Sequence, residues 1–248
     1  MFPDFSLLQI ALTALLFMWA GFVRSGLGFG GAALGLPFML FVYDQPVYWL
    51  PVIGWHLLFF SGLTLRTRLH NVDWTYLKQS LYYIIPPALV GVFGLVSLPS
   101  IWIVSFIYGI TLFYAVMWLL NRAIASSNPW IDRILLILGG YVAGTSLTGA
   151  PLMVAVYVRN VVAGQLRNTL FVLWFILVSI KMTTFAALGV ELHFLTALVL
   201  LPVAAVGHFI GLRMHEYILQ NDVMFKRVIG GMLVLVSGIG LVKAWVLL

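Results

Sequence analysis

The chain has 248 residues, of which 63% are hydrophobic and 8% are charged, and its formal net charge is +6 at pH 7. Soluble domains carry about 25% charged residues, so this composition excludes a soluble globular protein and predicts an all-α polytopic membrane protein. The absence of cysteine excludes disulfides and thiolate metal ligands. The basic residues are scattered singly along the loops, so the positive charge does not predict nucleic-acid binding.

Six apolar stretches have the length of one membrane-spanning helix, which is about 20 residues. They are Val47–Leu65, Tyr76–Leu98, Ile101–Leu120, Leu166–Leu188, Phe194–Leu212 and Phe225–Leu247. Two further stretches, Ser6–Tyr43 and Ile134–Val158, are interrupted by several glycines, and the second also contains Pro151. We expect each of them to form two half-segments that meet at a break, either as a re-entrant hairpin or as two short crossings.

The loop cations favour the re-entrant arrangement, because positive loops tend to stay in the cytoplasm. A single crossing by Ile134–Val158 would divide the ten loop cations equally between the two sides. If this stretch enters and returns, all ten lie on one side: Arg66, Arg68, Lys78, Arg122, Arg133, Arg159, Arg167, Arg213, Lys226 and Arg227. The other side then holds Asp4, Asp44 and Glu191. Each half then contains one broken pair and three full spans, which inverts the second half relative to the first.

The two halves also share a short pattern. A shift of 119 residues lays Gly21 on Gly140 and Gly30 on Gly149. We therefore expect two related, inverted repeats, residues 1–123 and 124–248, in one membrane unit. In transporters with inverted repeats, broken helices meet near the bilayer midplane and direct their N-termini at anionic substrates.

The first break contains Gly28, Gly30 and Gly31. Exposed amides at a helix start attract anions through hydrogen bonds and the helix dipole. These glycines are therefore candidate substrate ligands. The alternative is that small residues only allow close helix packing in the membrane.

The second break has fewer glycines and more hydroxyls. Thr145, Ser146 and Thr148 precede Gly149. The hydroxyls are candidate donors to an oxyanion, and Gly149 is a candidate ligand through its amide. The alternative is that the hydroxyls satisfy the broken backbone locally.

The run from Gly28 to Pro37 resembles the glycine-rich signature of the TauE/SafE sulfite exporter family, whose members are also called toluene-sulfonate uptake permeases. The loop from Arg66 to Trp74 is similar to a basic loop of that family, and the likeness extends along essentially the whole chain. The second break departs from the family pattern at Ala150, Pro151 and Val156. The resemblance implies a permease for sulfite, a sulfonate or a related organic anion.

Two cations fall within or beside the predicted spans. Lys181 has no acidic residue within a helical turn, so a mobile anion is its predicted partner, because a buried charge costs about 2.5–3.5 kcal/mol. The alternative is that Lys181 extends toward the nearer membrane surface. Arg24 immediately precedes the first glycine run and is either an anion ligand, for which its forked guanidinium is suited, or an interfacial anchor.

Two histidines, His56 and His208, lie within predicted spans. Either is a candidate carrier of a coupling proton, because histidine titrates near physiological pH. A packing function is the alternative. The five histidines have no spacing typical of a metal site, so no metal or cofactor is predicted.

We therefore predict a multi-pass permease of the bacterial inner membrane that moves a small anion by alternating access, with a coupling proton or ion as a candidate second partner. Its other partner is membrane lipid. Both broken segments are expected to bind the anion, with Arg24 and Lys181 neutralising its charge. An anion channel and a non-transporting assembly subunit are the alternatives. An enzyme is not predicted, because none of the seven acidic residues lies in the middle of a span.

Overall fold

A computed structural model describes residues 3–27 and 31–246. Within these ranges the chain forms ten α-helices, one short 3-10 turn at Leu69–Asn71 and no strand. The helices are α1 Leu7–Leu27, α2 Gly31–Val42, α3 Pro46–Leu65, α4 Trp74–Ser97, α5 Ser100–Leu119, α6 Pro129–Ser146, α7 Ala150–Asn160, α8 Ala163–Ala187, α9 Phe194–Gln220 and α10 Asp222–Val246. The all-α prediction is confirmed.

Both interrupted stretches form two helices each, α1 with α2 and α6 with α7. Gly28 and Gly30, two of the predicted ligands, lie outside the described residues. In the second pair, Asn128 caps the start of α6 by accepting from the amides of Trp130 and Ile131. Leu147 ends α6 in the left-handed region, at φ 59°, which stops the helix before α7 begins.

Seven helices of the described chain are long and apolar enough to cross a membrane: α1, α3, α4, α5, α8, α9 and α10. Their outer faces carry large exposed apolar side chains. On α10, for example, Leu235, Ile239 and Val242 are more than half exposed and recur at helical spacing. A surface of this kind requires lipid as its solvent, because water would not tolerate so much contiguous apolar area.

The chain divides into two compact units, and each unit is discontinuous in sequence. The first unit comprises Met1–Trp49, Leu98–Ala123 and His193–Leu248, and the second comprises Leu50–Ser97 and Ile124–Leu192. Each unit therefore combines helices from both halves of the sequence.

In the first unit, α1 packs along α9 and α5 packs along α10. The first pair runs parallel, since Gly207 lies against Met18 and Gly211 lies against Phe22. The approach is so close that a Cβ atom on Gly207 would lie 1.8 Å from the Met18 carbonyl oxygen. Only glycine fits at this position.

In the second unit, α4 packs along α6, also in parallel. Gly140 lies against Ile84, and Gly144 lies against Ala88, where an added Cβ atom would be 2.0 Å from the carbonyl oxygen. The starts of α4 and α6 are therefore at the same end of this unit. An apolar core including Leu77, Leu136 and Tyr157 fills the space behind this helix pair.

Each broken pair is a hairpin whose open end is closed by a side chain. In the first unit, Gln9 near the start of α1 donates to the carbonyl of Val42 at the end of α2, at 3.0 Å. In the second unit, Arg159 near the end of α7 forms a 2.6 Å ion pair with Asp132 in the first turn of α6. Each hairpin therefore returns to the side of its unit from which it began.

Candidate functional site

The break between α6 and α7 in the second unit contains a buried cation. Lys181, from α8, is 2% exposed. Its ammonium donates to the carbonyls of Gly144 at 2.5 Å and Thr145 at 3.2 Å, in the last turn of α6. A cation is favourable at this position, because the unpaired carbonyls give a helix C-terminus a partial negative charge.

The ammonium of Lys181 nevertheless retains binding capacity. An ammonium has three donors, and only two have hydrogen-bond partners among the described residues. The ring of Phe185 also lies near Nζ, with its centroid at 5.5 Å. No carboxylate in the described ranges forms an ion pair with Lys181, and the acceptors of its ammonium there are carbonyl oxygens.

The three hydroxyls of the second break all have local partners. Thr145 donates to the Tyr141 carbonyl at 2.9 Å, and Ser146 donates to the Val142 carbonyl at 3.0 Å. Thr148 lies 2.6 Å from the hydroxyl of Ser146, so it is the natural donor of that pair. Thr145 and Ser146 thus bond to the local backbone, as the alternative interpretation expects, whereas Thr148 bonds to a side chain, and donation to an anion stays a prediction for all three.

Gly149 lies at the start of α7 and has a packing function. A Cβ atom there would lie 2.1 Å from the Gly139 carbonyl oxygen. In the first unit, Gly31 lies less tightly against Ala20, because a Cβ atom on Gly31 would lie 3.0 Å from the Ala20 carbonyl oxygen. Gly149 provides no side-chain cap for α7, so the first amides of that helix lack the usual side-chain acceptor.

In the first unit, Arg24 lies in the last turn of α1 and is 7% exposed. It is therefore buried beside the first break, as a ligand would have to be. Next to it, Ser25 donates to the Gly21 carbonyl at 3.0 Å and is hydrogen-bonded to Nδ1 of His208 from α9. Arg24 and Lys181 belong to different units.

His215 is a residue of this region that the sequence analysis missed. Its Nδ1 lies 2.6 Å from the carbonyl of Gly26, in the last turn of α1. A basic side chain thus contacts the C-terminal carbonyls of both first half-helices, His215 in one unit and Lys181 in the other. The available signal was spacing, since Gly207, Gly211 and His215 follow each other at four-residue intervals along one face of α9.

The two histidines predicted as proton carriers have different surroundings. His208 is half-buried against Ser25. His56 is 4% exposed in α3, with the ring of Phe60 at 6.5 Å. A function in proton coupling stays a prediction for both. In the described part of the chain, no group of three metal-ligating residues comes together.

These features define a polytopic α-helical membrane protein with two helical hairpins, each of which has a buried cation beside its break. The chain belongs to the sulfite exporter TauE/SafE family, whose model matches residues 13–240. This is a family of membrane transporters and not of enzymes. The resemblance noted in the sequence is thereby confirmed. No curated protein and no solved structure matches the chain.

Proposed function

We propose that the protein is a secondary transporter that moves sulfite, a sulfonate or a related small anion across the bacterial inner membrane. The observation that carries this proposal is Lys181, a buried ammonium at a helix break with one donor unused among the described residues. Burial of a charge without a counter-ion is costly, and a permeating anion would offset that cost each time it binds.

The anion contact that we propose in the second unit has three parts. Lys181 provides the charge, the uncapped amides at the start of α7 provide hydrogen bonds, and Thr148 rotates its hydroxyl from Ser146 toward the ligand. The proposal includes an exchange of partners at Thr148, because its present acceptor would compete with the anion. In the first unit we propose a second contact through Arg24 and the amide of Gly31.

We further propose that the two halves are inverted repeats and that their relative motion alternates access. Under the shift of 119 residues, α1 to α5 overlie α6 to α10 in order. The hairpin closures support inversion. A hairpin that returns to its starting side adds no crossing, so three spans separate the start of α1 from the start of α6.

Transport kinetics test the function of Lys181. The substrate is first selected from sulfite, sulfate, sulfoacetate and acetate by thermal stabilisation of the purified protein, because a ligand that binds only the folded state raises Tm. Uptake is then measured in proteoliposomes. We expect Lys181→Met to raise KM at least about tenfold, since a charged hydrogen bond contributes about 1.5–3 kcal/mol.

Lys78→Met is the matched control, because Lys78 is exposed at the start of α4 and should leave KM unchanged. Arg24→Ala is measured in parallel and should raise KM to a similar degree. The Tm without anion shows whether each variant is folded. An unchanged KM in a folded Lys181→Met protein would rule out the contact in the second unit.

A further inference from the structure

An open cavity of about 430 Å³ lies in the second unit, away from the helix breaks. It is lined by the first turns of α4, including Tyr76, Gln79 and Tyr83, and by Asp132 and Arg133 of α6. Its size is within the range of small-molecule sites. Because α4 and α6 both begin beside this cavity, it lies where the two helices leave the apolar part of the bilayer.

The charges that line the cavity favour an anion. Asp132 is already neutralised, since it accepts from Arg159 at 2.6 Å, from Asn160 at 3.2 Å and from Ser126. Arg133 is exposed and has neither a hydrogen bond nor an ion pair with any residue in the described ranges. It is therefore the uncompensated charge of the cavity.

Aromatic rings hold the guanidinium of Arg133 in place. It lies 4.9 Å from the ring centroid of Trp130 and 5.7 Å from that of Tyr83. Trp130 is 71% exposed and Tyr82 is 81% exposed, although both are large rings in a highly apolar chain. Exposed tryptophan and tyrosine at span ends are typical of the membrane–water interface, where lipid headgroups lie.

We propose that this cavity binds the headgroup of an anionic phospholipid. Arg133 pairs with the phosphate, Gln79 and Tyr83 contact the polar part of the headgroup, and the acyl chains lie along the exposed apolar face of α6, which includes Ile137. Basic pockets between membrane helices are suited to anionic headgroups. A lipid fits better than a free anion because Ile137, one helical turn after Arg133 on the same face of α6, is apolar and exposed.

Lipid retention in defined detergent–lipid micelles tests the site. The protein is equilibrated with phosphatidylglycerol or with phosphatidylcholine, and bound lipid is counted by native mass spectrometry. We expect phosphatidylglycerol to be retained about tenfold more strongly, because phosphatidylcholine has the same phosphate but adds a choline cation that offsets its charge and repels Arg133. Arg133→Gln should remove this preference and Arg133→Lys should retain part of it. Arg122→Gln, which changes an exposed cation outside the cavity, should leave the preference intact.

A competition measurement and the retention measurement itself can each overturn the proposal. Glycerophosphoglycerol, which is phosphatidylglycerol without its acyl chains, should not displace the lipid. If it binds as tightly as the lipid, the cavity is a site for small phosphates. Equal retention of the two lipids, or an unchanged preference in Arg133→Gln, would show that the cavity does not recognise an anionic headgroup. The Tm without added lipid verifies that each variant is folded.

Discussion

The ion pair between Asp132 and Arg159 joins the start of α6 to the end of α7 and so closes the second hairpin. Asp132 is 8% exposed, so its carboxylate depends on Arg159, Asn160 and Ser126 in place of water. We expect Arg159→Ala to lower the free energy of unfolding by about 1.5 kcal/mol. This is the lower end of the range for a hydrogen bond to a charged group, because the Arg159 side chain is 34% exposed.

Thermal unfolding in detergent measures this effect, with Arg122→Ala as the control, because Arg122 is an exposed loop cation with no described ion pair. The double variant Asp132→Ala/Arg159→Ala adds a sharper criterion. It should be less destabilised than the two single changes together, because it leaves no buried carboxylate without a partner. Strict additivity would show that the two side chains do not stabilise each other.

At the scale of single residues, burial was easier to predict than partners. The sequence places Lys181 inside a predicted span, with extension toward the membrane surface as the alternative, and the structure buries it. Its two carbonyl acceptors belong to α6, however, and sequence spacing within α8 contains no information about them. The same reason explains why His215 was missed, since its partner Gly26 is far away along the chain.

At the scale of helices, glycine determines which pairs can approach. We expect Gly207→Ala to destabilise the protein by about 1–3 kcal/mol, because the new Cβ atom would meet the Met18 carbonyl oxygen, and backbone cannot move as a side chain can. Gly109→Ala is the matched control. Gly109 also lies within a helix, but a Cβ atom there meets nothing within 4 Å.

The control change should be neutral or stabilising by up to about 1 kcal/mol, because alanine has the higher helix propensity. The Tm of both variants in the same detergent shows whether the steric contact at Gly207 outweighs the higher helix propensity of alanine. A similar Tm change for the two variants would mean that the close contact between α1 and α9 does not limit stability.

The presence of the membrane-spanning helices was predictable, because the hydropathy and length of an apolar stretch are enough to identify one. Each of the six predicted spans corresponds to one helix, and five agree with its bounds within three residues at either end, whereas α9 continues eight residues beyond the predicted end at Leu212. The interruption of the two glycine-rich stretches was also predictable, since glycine adopts backbone conformations that can end a helix. The pairing of α1 with α9 and of α4 with α6 was not predictable from the sequence. In these helices the lipid-facing and protein-facing sides are both apolar, so hydropathy does not show which side packs against another helix.

At the scale of the whole molecule, helix direction and loop charge agree. In the second unit, α4 and α6 run parallel, so Lys78 and Arg133, near the starts of these helices, lie on the same side. In the first unit, α1 and α9 run parallel, so Asp4 and the start of α9 lie on the same side, and Glu191 precedes that start by three residues in the chain. The positive-inside rule predicts that the basic side faces the cytoplasm.

Cysteine labelling tests this topology directly, because the chain has no cysteine of its own. In intact cells, an impermeant maleimide should label Asp4→Cys, Asp44→Cys and Glu191→Cys. It should label Arg68→Cys and Arg122→Cys only after permeabilisation.

The pair Asp4 and Asp44 is the decisive one, because the two positions flank the first hairpin. If they label from opposite sides, α1 and α2 together cross the bilayer once and the second half is not inverted. If both label from outside, the hairpin adds no crossing, and the three spans α3, α4 and α5 necessarily invert the second half.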